Sequence, residues 1–283
     1  MPSNRIPNSR RTPERRATMA RRAVSGLTAL CACLALGLPA HAIINGDPVE
    51  ADWYGSFVSI RGISPYPSQN GAEINACGGV LVAPNWVLTA AHCRPAYENL
   101  ENREGPVEVG LHIRDDGTFA GRLQVVEYHF APAPLDGERV DAALLKLNGD
   151  ATEFGATVAT IFDGVVSEGL RTITVGLGLG VTGAPLMGYS SVVADPSHCD
   201  NPRGDFDPGH DFCVGIPGST QRTGYGDSGG PIYTKGATRG KQFLLGTVKG
   251  GVKIGSTGPE ESEYIRYIRG KALTDWIARY ISG

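Results

Sequence analysis

The chain has 283 residues, 41% of them apolar and 19% charged, with a formal net charge of −3. That balance excludes a disordered chain and supplies apolar surface for one large core or two modest ones. Charge is unevenly spread: of 26 basic and 29 acidic side chains, seven arginines and one acid fall within the first 22 residues.

Ala23 to Leu38 follows as sixteen uncharged, mostly apolar residues, closing on Pro39 and Ala40-His41-Ala42. Basic, apolar and small-residue regions in that order read as a secretory signal, and the apolar part falls short of the roughly twenty residues a membrane span requires. Residues 1–42 are therefore expected to be removed on export, with Met19 as an alternative start, and no membrane span is expected. The mature protein is expected to be secreted, either extracellular or periplasmic. It would keep 19 basic and 28 acidic side chains, a net charge of −9. Such a surface is a poor match for nucleic acid or anionic membranes, which bind basic patches.

Cys31 and Cys33 leave with the signal, so four cysteines remain. An even number in an exported chain predicts two disulfides. Cys77 with Cys93 and Cys199 with Cys213 is one of three possible pairings, and its short local loops favour it.

From Ile43 onward strand signals dominate. Apolar or alternating runs occur at Ser56 to Arg61, Gly79 to Val82, Trp86 to Thr89, Val107 to Ile113, Leu123 to Tyr128, Ala142 to Leu147, Arg171 to Val175 and Phe243 to Val248. Turn-rich pieces such as Pro65 to Gly71, Ala131 to Gly137 and Pro202 to Gly209 separate them. Many short strands without alternating helices predict antiparallel barrels or sandwiches. One helix is expected at the end, where Leu273, Trp276, Ile277, Tyr280 and Ile281 form an apolar stripe. A boundary between two barrels is expected near Asn148 to Gly155.

Three further signals are weaker. Gly176-Leu177-Gly178-Leu179-Gly180 has no helical pattern after it, so it reads as a glycine-rich strand end and not a nucleotide loop. His198, Cys199, His210 and Cys213 match no zinc-finger spacing, and oxidation competes for the thiols, so no metal is expected. The acids of Tyr97 to Arg103 and Asp205 to Asp211 lack the spacing of a calcium loop.

The chemistry concentrates around Ser228, framed by glycines in "TQRTGYGDSGGPIY". A serine hydroxyl becomes a nucleophile only when a base takes its proton, and the base needs a carboxylate to hold its tautomer. His92 in "VLTAAHC" follows an apolar strand and adjoins Cys93, whose disulfide would anchor it. Asp141 opens "DAALLKL", a run too apolar to be exposed, and a buried carboxylate must be paired. His112 and His129 lack comparable settings: the first sits on the polar side of its strand, the second before a proline loop.

"VLTAAHC", "DAALLKL" and "GDSGGP", in that order, resemble the trypsin-like (chymotrypsin-family) serine endopeptidases. So do "IINGDPV" at the mature terminus, "CGGVLVAPNWVLTAAHC" and "DFCVG" in the disulfide loops, and "DWIARYI" in the terminal helix. The likeness spans nearly all of residues 43–283. It implies an all-β fold of two six-stranded antiparallel β-barrels packed together with a C-terminal α-helix, the active site lying in the cleft between them. His92 and Asp141 would come from the N-terminal barrel (43–150), and Ser228 from the C-terminal barrel (151–283). By the same resemblance the N–H groups of Gly226 and Ser228 form the oxyanion hole, and Asp227 pairs with a free amine at Ile43. Signal cleavage before Ile43 would release that amine with no separate zymogen stage.

The resemblance weakens at the substrate pocket, expected from Arg222, Thr223, Lys249, Gly250, Gly251 and Ser262. The position six residues before the serine, acidic in family members that cut after Arg or Lys, is Arg222. The cysteine pair that usually ties the pocket walls is missing near Gly224 and after Gly251, and Ser262 stands where a glycine is usual. Two cations near one pocket predict a non-tryptic, acidic preference; the alternative is that Arg222 points to solvent or pairs with an internal acid. Protein or peptide substrates, no cofactor and a monomer are expected. The alternative is a secreted binding or adhesion protein on a protease scaffold, a route that usually loses a triad residue.

Overall fold

The computed structural model describes residues 43–63, 73–95, 106–132, 140–200, 206–216, 218–235, 243–253, 260–267 and 271–282. The signal expected at residues 1–42 lies outside the described residues, as does the acidic loop Tyr97 to Arg103. Among the described residues no helix is long and apolar enough to cross a membrane.

The first barrel uses β2 (Phe57–Ile63), β3 (Glu73–Ala83), β4 (Trp86–Thr89), β5 (Glu108–Ile113), β6 (Phe119–Phe130) and β7 (Ala143–Leu147). They close in the order β2-β3-β4-β7-β6-β5, which leaves no sheet edge for another chain to pair with. Its interior is filled by Val58, Ile60, Leu81, Val87, Val109, Leu111 and Leu145, all fully buried.

The second sheet contains β1 (Asp47–Pro48), β8 (Thr160–Ile161), β9 (Arg171–Gly176), β10 (Met187–Ala194), β11 (Asp211–Gly215), β12 (Pro231–Thr234), β13 (Phe243–Lys253) and β14 (Glu260–Tyr267). Six of them form a ring β9-β10-β11-β14-β13-β12, closed by pairing of β12 with β9. The two-residue β1 adds antiparallel to β10, and the two-residue β8 adds in parallel to β13. Val193, Phe212, Val214, Ile232, Leu245 and Val248 fill this interior. The expected two-barrel architecture is the observed one.

A further core lies between the barrels. Phe57, Val80, Leu88 and Leu144 from the first meet Val175, Tyr233 and Leu244 from the second. Leu273, Trp276 and Ile277 of helix α1 (Lys271–Ile281) join them. Their i, i+3, i+4 spacing puts three large side chains on one face, each worth about 1.5–3 kcal/mol on burial. Tyr233 is fully buried, and burial pushes its hydroxyl pKa upward. That hydroxyl is satisfied by Ser56 Oγ at 2.8 Å, a polar pin inside an apolar layer.

Candidate active site

Strand pairing explains how His92 and Asp141 meet although 49 residues separate them. β4 runs antiparallel to β7 with Thr89 opposite Ala143. The residues just after β4 and just before β7 therefore leave the sheet at the same end. A short 3₁₀ turn, Ala91–Cys93, carries His92, and the Cys77–Cys93 disulfide ties that turn back to β3. Asp141 then grips His92 twice: the His92 N–H donates to Oδ1 at 2.8 Å, and Nδ1 lies 2.7 Å from Oδ2. The carboxylate side chain is 12% exposed and the imidazole 43%. Asp141 is thus sheltered while the ring keeps an open edge.

The serine loop reaches this turn through its backbone. The Ser228 carbonyl accepts the Gly78 N–H at 2.9 Å, and Cys93 Sγ lies 3.6 Å from the same oxygen. The sulfur is oxidised and carries no proton, so the second approach is a contact and not a hydrogen bond. Ser228 is thereby placed beside the residue that follows His92.

Two glycines of "GYGDSGG" are required by shape. Gly226 has φ +91°, and a Cβ there would fall 2.2 Å from the Gly178 carbonyl oxygen. Gly229 has φ +74°, and a Cβ there would fall 2.1 Å from Thr89 Oγ1. Both conformations and both close approaches exclude a side chain. The N–H groups of Gly224, Asp227, Gly229 and Gly230 all bond to internal oxygens. Among the described residues those of Gly226 and Ser228 have no acceptor.

Asp227 is fully buried. Its Oδ1 accepts the Gly178 N–H at 2.7 Å and its Oδ2 the Gly224 N–H at 2.8 Å. Ile43 is fully buried too, and Gly176 abuts both: a Cβ on Gly176 would fall 2.1 Å from Asp227 Oδ1 and 3.4 Å from Ile43 Cδ1. Ile44 and Arg222 exchange backbone hydrogen bonds of 2.7 and 3.1 Å, which stitch the segment after Ile43 to the wall of the expected pocket.

The expected pocket residues divide. Arg222 is half-buried and Thr223 buried, both beside Ile44 and Gly224. Gly250 and Gly251 lie in β13 opposite Tyr264 and Glu263, and Ser262 in β14 opposite Gly215 and Val252. Lys249 differs from its expected role as a second pocket cation: its Nζ is 2.7 Å from Oδ2 of Asp211, whose side chain is fully buried. A buried carboxylate is costly without a partner, so the internal acid captures the ammonium. The second expected disulfide, Cys199–Cys213, is formed, and its sulfurs are therefore not thiolate ligands.

Two residues near the site are not among the sequence candidates. Tyr225, next to Gly226, is 84% exposed. Asn75, in β3, is fully buried and donates to the Gly226 carbonyl. The only hint for Asn75 is an amide set between the apolar Ile74 and Ala76, two residues before Cys77.

The family model described as Trypsin matches residues 57–277. Among curated proteins the chain is 31% identical over 217 residues to granzyme M of Homo sapiens, covering 71% of this chain and 81% of that protein. It is 29% identical over 225 residues to vitamin K-dependent protein C of Oryctolagus cuniculus, covering 73% of this chain but 46% of that protein. To kallikrein-7 of Homo sapiens it is 31% identical over 172 residues, covering 58% and 64%. The chain thus spans less than half the length of protein C and most of granzyme M. The chain belongs to the trypsin family of serine endopeptidases.

Proposed function

We propose that this chain is a secreted serine endopeptidase that cuts peptide bonds through an acyl-enzyme. The observation that carries the reading is the double hold of Asp141 on His92, through the backbone N–H and Nδ1 together. That hold leaves Nε2 as the lone-pair nitrogen, the form a general base needs. Nε2 takes the Ser228 hydroxyl proton as Oγ attacks the substrate carbonyl carbon, and the C=O electron pair moves to oxygen. The N–H groups of Gly226 and Ser228 receive that oxyanion. His92 then passes the proton to the leaving amine as the C–N bond breaks. Water, deprotonated by His92, hydrolyses the ester and restores the hydroxyl. Asp141 keeps its charge throughout and stabilises the imidazolium.

Covalent labelling with a fluorophosphonate tests the reading. The wild-type protein labels on Ser228, and Ser228→Ala and His92→Ala abolish both labelling and peptide hydrolysis. Folded wild-type protein that neither labels nor cleaves overturns it in favour of a binding protein on the same scaffold.

The substrate preference is proposed to be non-tryptic, with Arg222 selecting Glu or Asp before the cut bond. Lys249 contributes no open charge, so this preference rests on Arg222. Export is proposed to remove residues 1–42, exposing an ammonium on Ile43 that pairs with Asp227. The fully buried Ile43 and its shared contact with Gly176 support the second proposal. Amino-terminal sequencing of the exported protein is expected to start at Ile43, and a start elsewhere overturns it.

A further inference from the structure

A line of buried polar side chains leaves the first barrel and ends on the serine loop of the second. Asn75 is its last member. Its Nδ2 donates to the Gly226 carbonyl at 2.8 Å and to the Gly178 carbonyl at 2.7 Å. Its Oδ1 accepts the Ser59 hydroxyl at 2.7 Å, and Ser59 Oγ accepts Arg61 Nη1 at 3.1 Å. Ser59 and Arg61 stand two apart on β2 and so share a face. Arg61 Nη2 continues to Thr182 Oγ1 at 3.2 Å and Glu73 at 3.3 Å, and Arg122 holds Glu73 through both its oxygens at 2.6 and 2.8 Å.

Donor and acceptor rules fix the direction of every bond in this line. A guanidinium can only donate, so Ser59 must accept from Arg61 and turn its own proton toward Asn75. The atom facing Ser59 is therefore the amide oxygen. Backbone carbonyls can only accept, so the atom facing Gly178 and Gly226 is the NH₂ group. Both ends dictate the same amide orientation, and no flipped arrangement satisfies either.

The Gly226 carbonyl is placed where this matters. Between the Gly226 and Ser228 N–H groups run three backbone groups: the Gly226 carbonyl, the Asp227 N–H and the Asp227 carbonyl. The Asp227 N–H donates to Gly224 at 3.2 Å, and the Asp227 carbonyl accepts from Gly230 at 2.9 Å, both within the loop. The Gly226 carbonyl is anchored by the other barrel, through Asn75. With φ +91° and no Cβ, Gly226 offers little intrinsic resistance to rotation of the following peptide.

We propose that Asn75 is a positioning residue that fixes the spacing of the two oxyanion donors, with Ser59 and Arg61 orienting it in turn. The inference rests on the endopeptidase reading above. Asn75 touches neither substrate nor reacting atoms and acts through Gly226.

The test compares mature wild-type enzyme with Asn75→Ala, Asn75→Asp and Ser59→Ala, each normalised to active sites by fluorophosphonate titration. Asn75→Ala lowers kcat per titrated site about 10- to 100-fold, below the ~10²–10³ typical of deleting an oxyanion donor outright. KM stays within about twofold, since the ground-state carbonyl needs the donors less than the oxyanion does. Affinity for a peptide aldehyde, whose bound form carries the oxyanion, falls in parallel with kcat/KM. Asn75→Asp sets a carboxylate against two carbonyl oxygens, so its kcat relative to wild type rises as pH falls and the acid regains a proton to donate. Ser59→Ala, which keeps the amide and its two carbonyl acceptors but removes the hydroxyl that donates to Oδ1, gives a smaller loss in the same direction and serves if Asn75→Ala does not fold. Normal kcat per titrated site in the Asn75 variants, or in Ser59→Ala should those not fold, with only the active fraction or melting temperature reduced, overturns the positioning role. Wild-type protein that neither labels nor cleaves overturns the endopeptidase reading instead, and this proposal falls with it.

Discussion

The main-chain N–H of Gly78 donates to the carbonyl of Ser228 at 2.9 Å, tying β3 of one barrel to the serine loop of the other. The disulfide that reaches the His92 turn starts one residue earlier, at Cys77. A single strand of the first barrel therefore sets the histidine turn and the serine loop against one another, and its contacts carry directly testable consequences.

Gly229→Ala is expected to destabilise the protein and disable it. Gly229 combines φ +74° with a Cβ position 2.1 Å from Thr89 Oγ1. A left-handed alanine costs about 1–2 kcal/mol and overpacking about 1–3, so a loss of roughly 2–5 kcal/mol is expected in urea unfolding. Fluorophosphonate labelling per folded molecule should fall as the loop shifts. Unchanged stability would show that the loop yields easily.

Lys249→Met is expected to cost about 3–5 kcal/mol, because it leaves the fully buried Asp211 side chain without its ammonium. Lys249→Met combined with Asp211→Leu should recover part of that loss, since the ion pair is gone but the Asp207 N–H loses its acceptor on Asp211. Urea unfolding of the two variants measures both quantities.

Arg222→Ala should erase the proposed acidic preference. Hydrogen bonds to a charged group are worth about 1.5–3 kcal/mol, so discrimination for Glu over Gln before the cut bond should fall about 10- to 100-fold in kcat/KM. A panel of peptides differing only at that residue reads the change. Equal rates on Glu and Gln in the wild type would end the proposal.

Stability should depend on pH through Glu73. Burial raises its pKa most strongly of the single influences, but hydrogen bonds from Arg122 and Arg61 and the charge of both outweigh it, so the net shift is downward. A carboxylate with a folded pKa below its unfolded value stabilises fully above the unfolded range, near ~4.3, and less as pH falls through the folded value. Glu73→Gln should therefore be less stable than wild type at pH 7, with the gap closing as pH drops below about 4. A constant gap would assign the effect to packing.

Much of the fold was legible where burial imposes a repeat. The runs around Trp86 to Thr89, Ala142 to Leu147 and Arg171 to Val175 declared themselves because one or both faces are apolar, and the Leu273, Trp276, Ile277 stripe marked α1. The two-residue β1 and β8 and the longer β10, β11, β12 and β14 carry no strand signal of that kind. Met187–Ala194 is rich in small polar residues, Pro231–Thr234 is too short to show a period, and Glu260–Tyr267 places charges in a strand whose neighbours, not its own pattern, recruit it. At the site, His92 and Asp141 were legible because each sits in a distinctive local setting. Asn75 was not, because its importance lies in carbonyls 103 and 151 residues away. Lys249 was assigned to the pocket since sequence alone does not reveal that Asp211 lies within reach of its Nζ.

Helix α1 covers an outer wall of the first barrel: Tyr280 stacks 4.4 Å from the His129 ring and 5.5 Å from Trp86, with Trp276 alongside. During synthesis the ribosome delivers that wall well before its cover. The early half thus emerges with an aromatic surface bare and must wait, unfinished and sticky, for the much later α1 segment. Deleting α1 would strand the nascent product in that state, so a truncated chain should accumulate in aggregates or be degraded before it could ever be assayed.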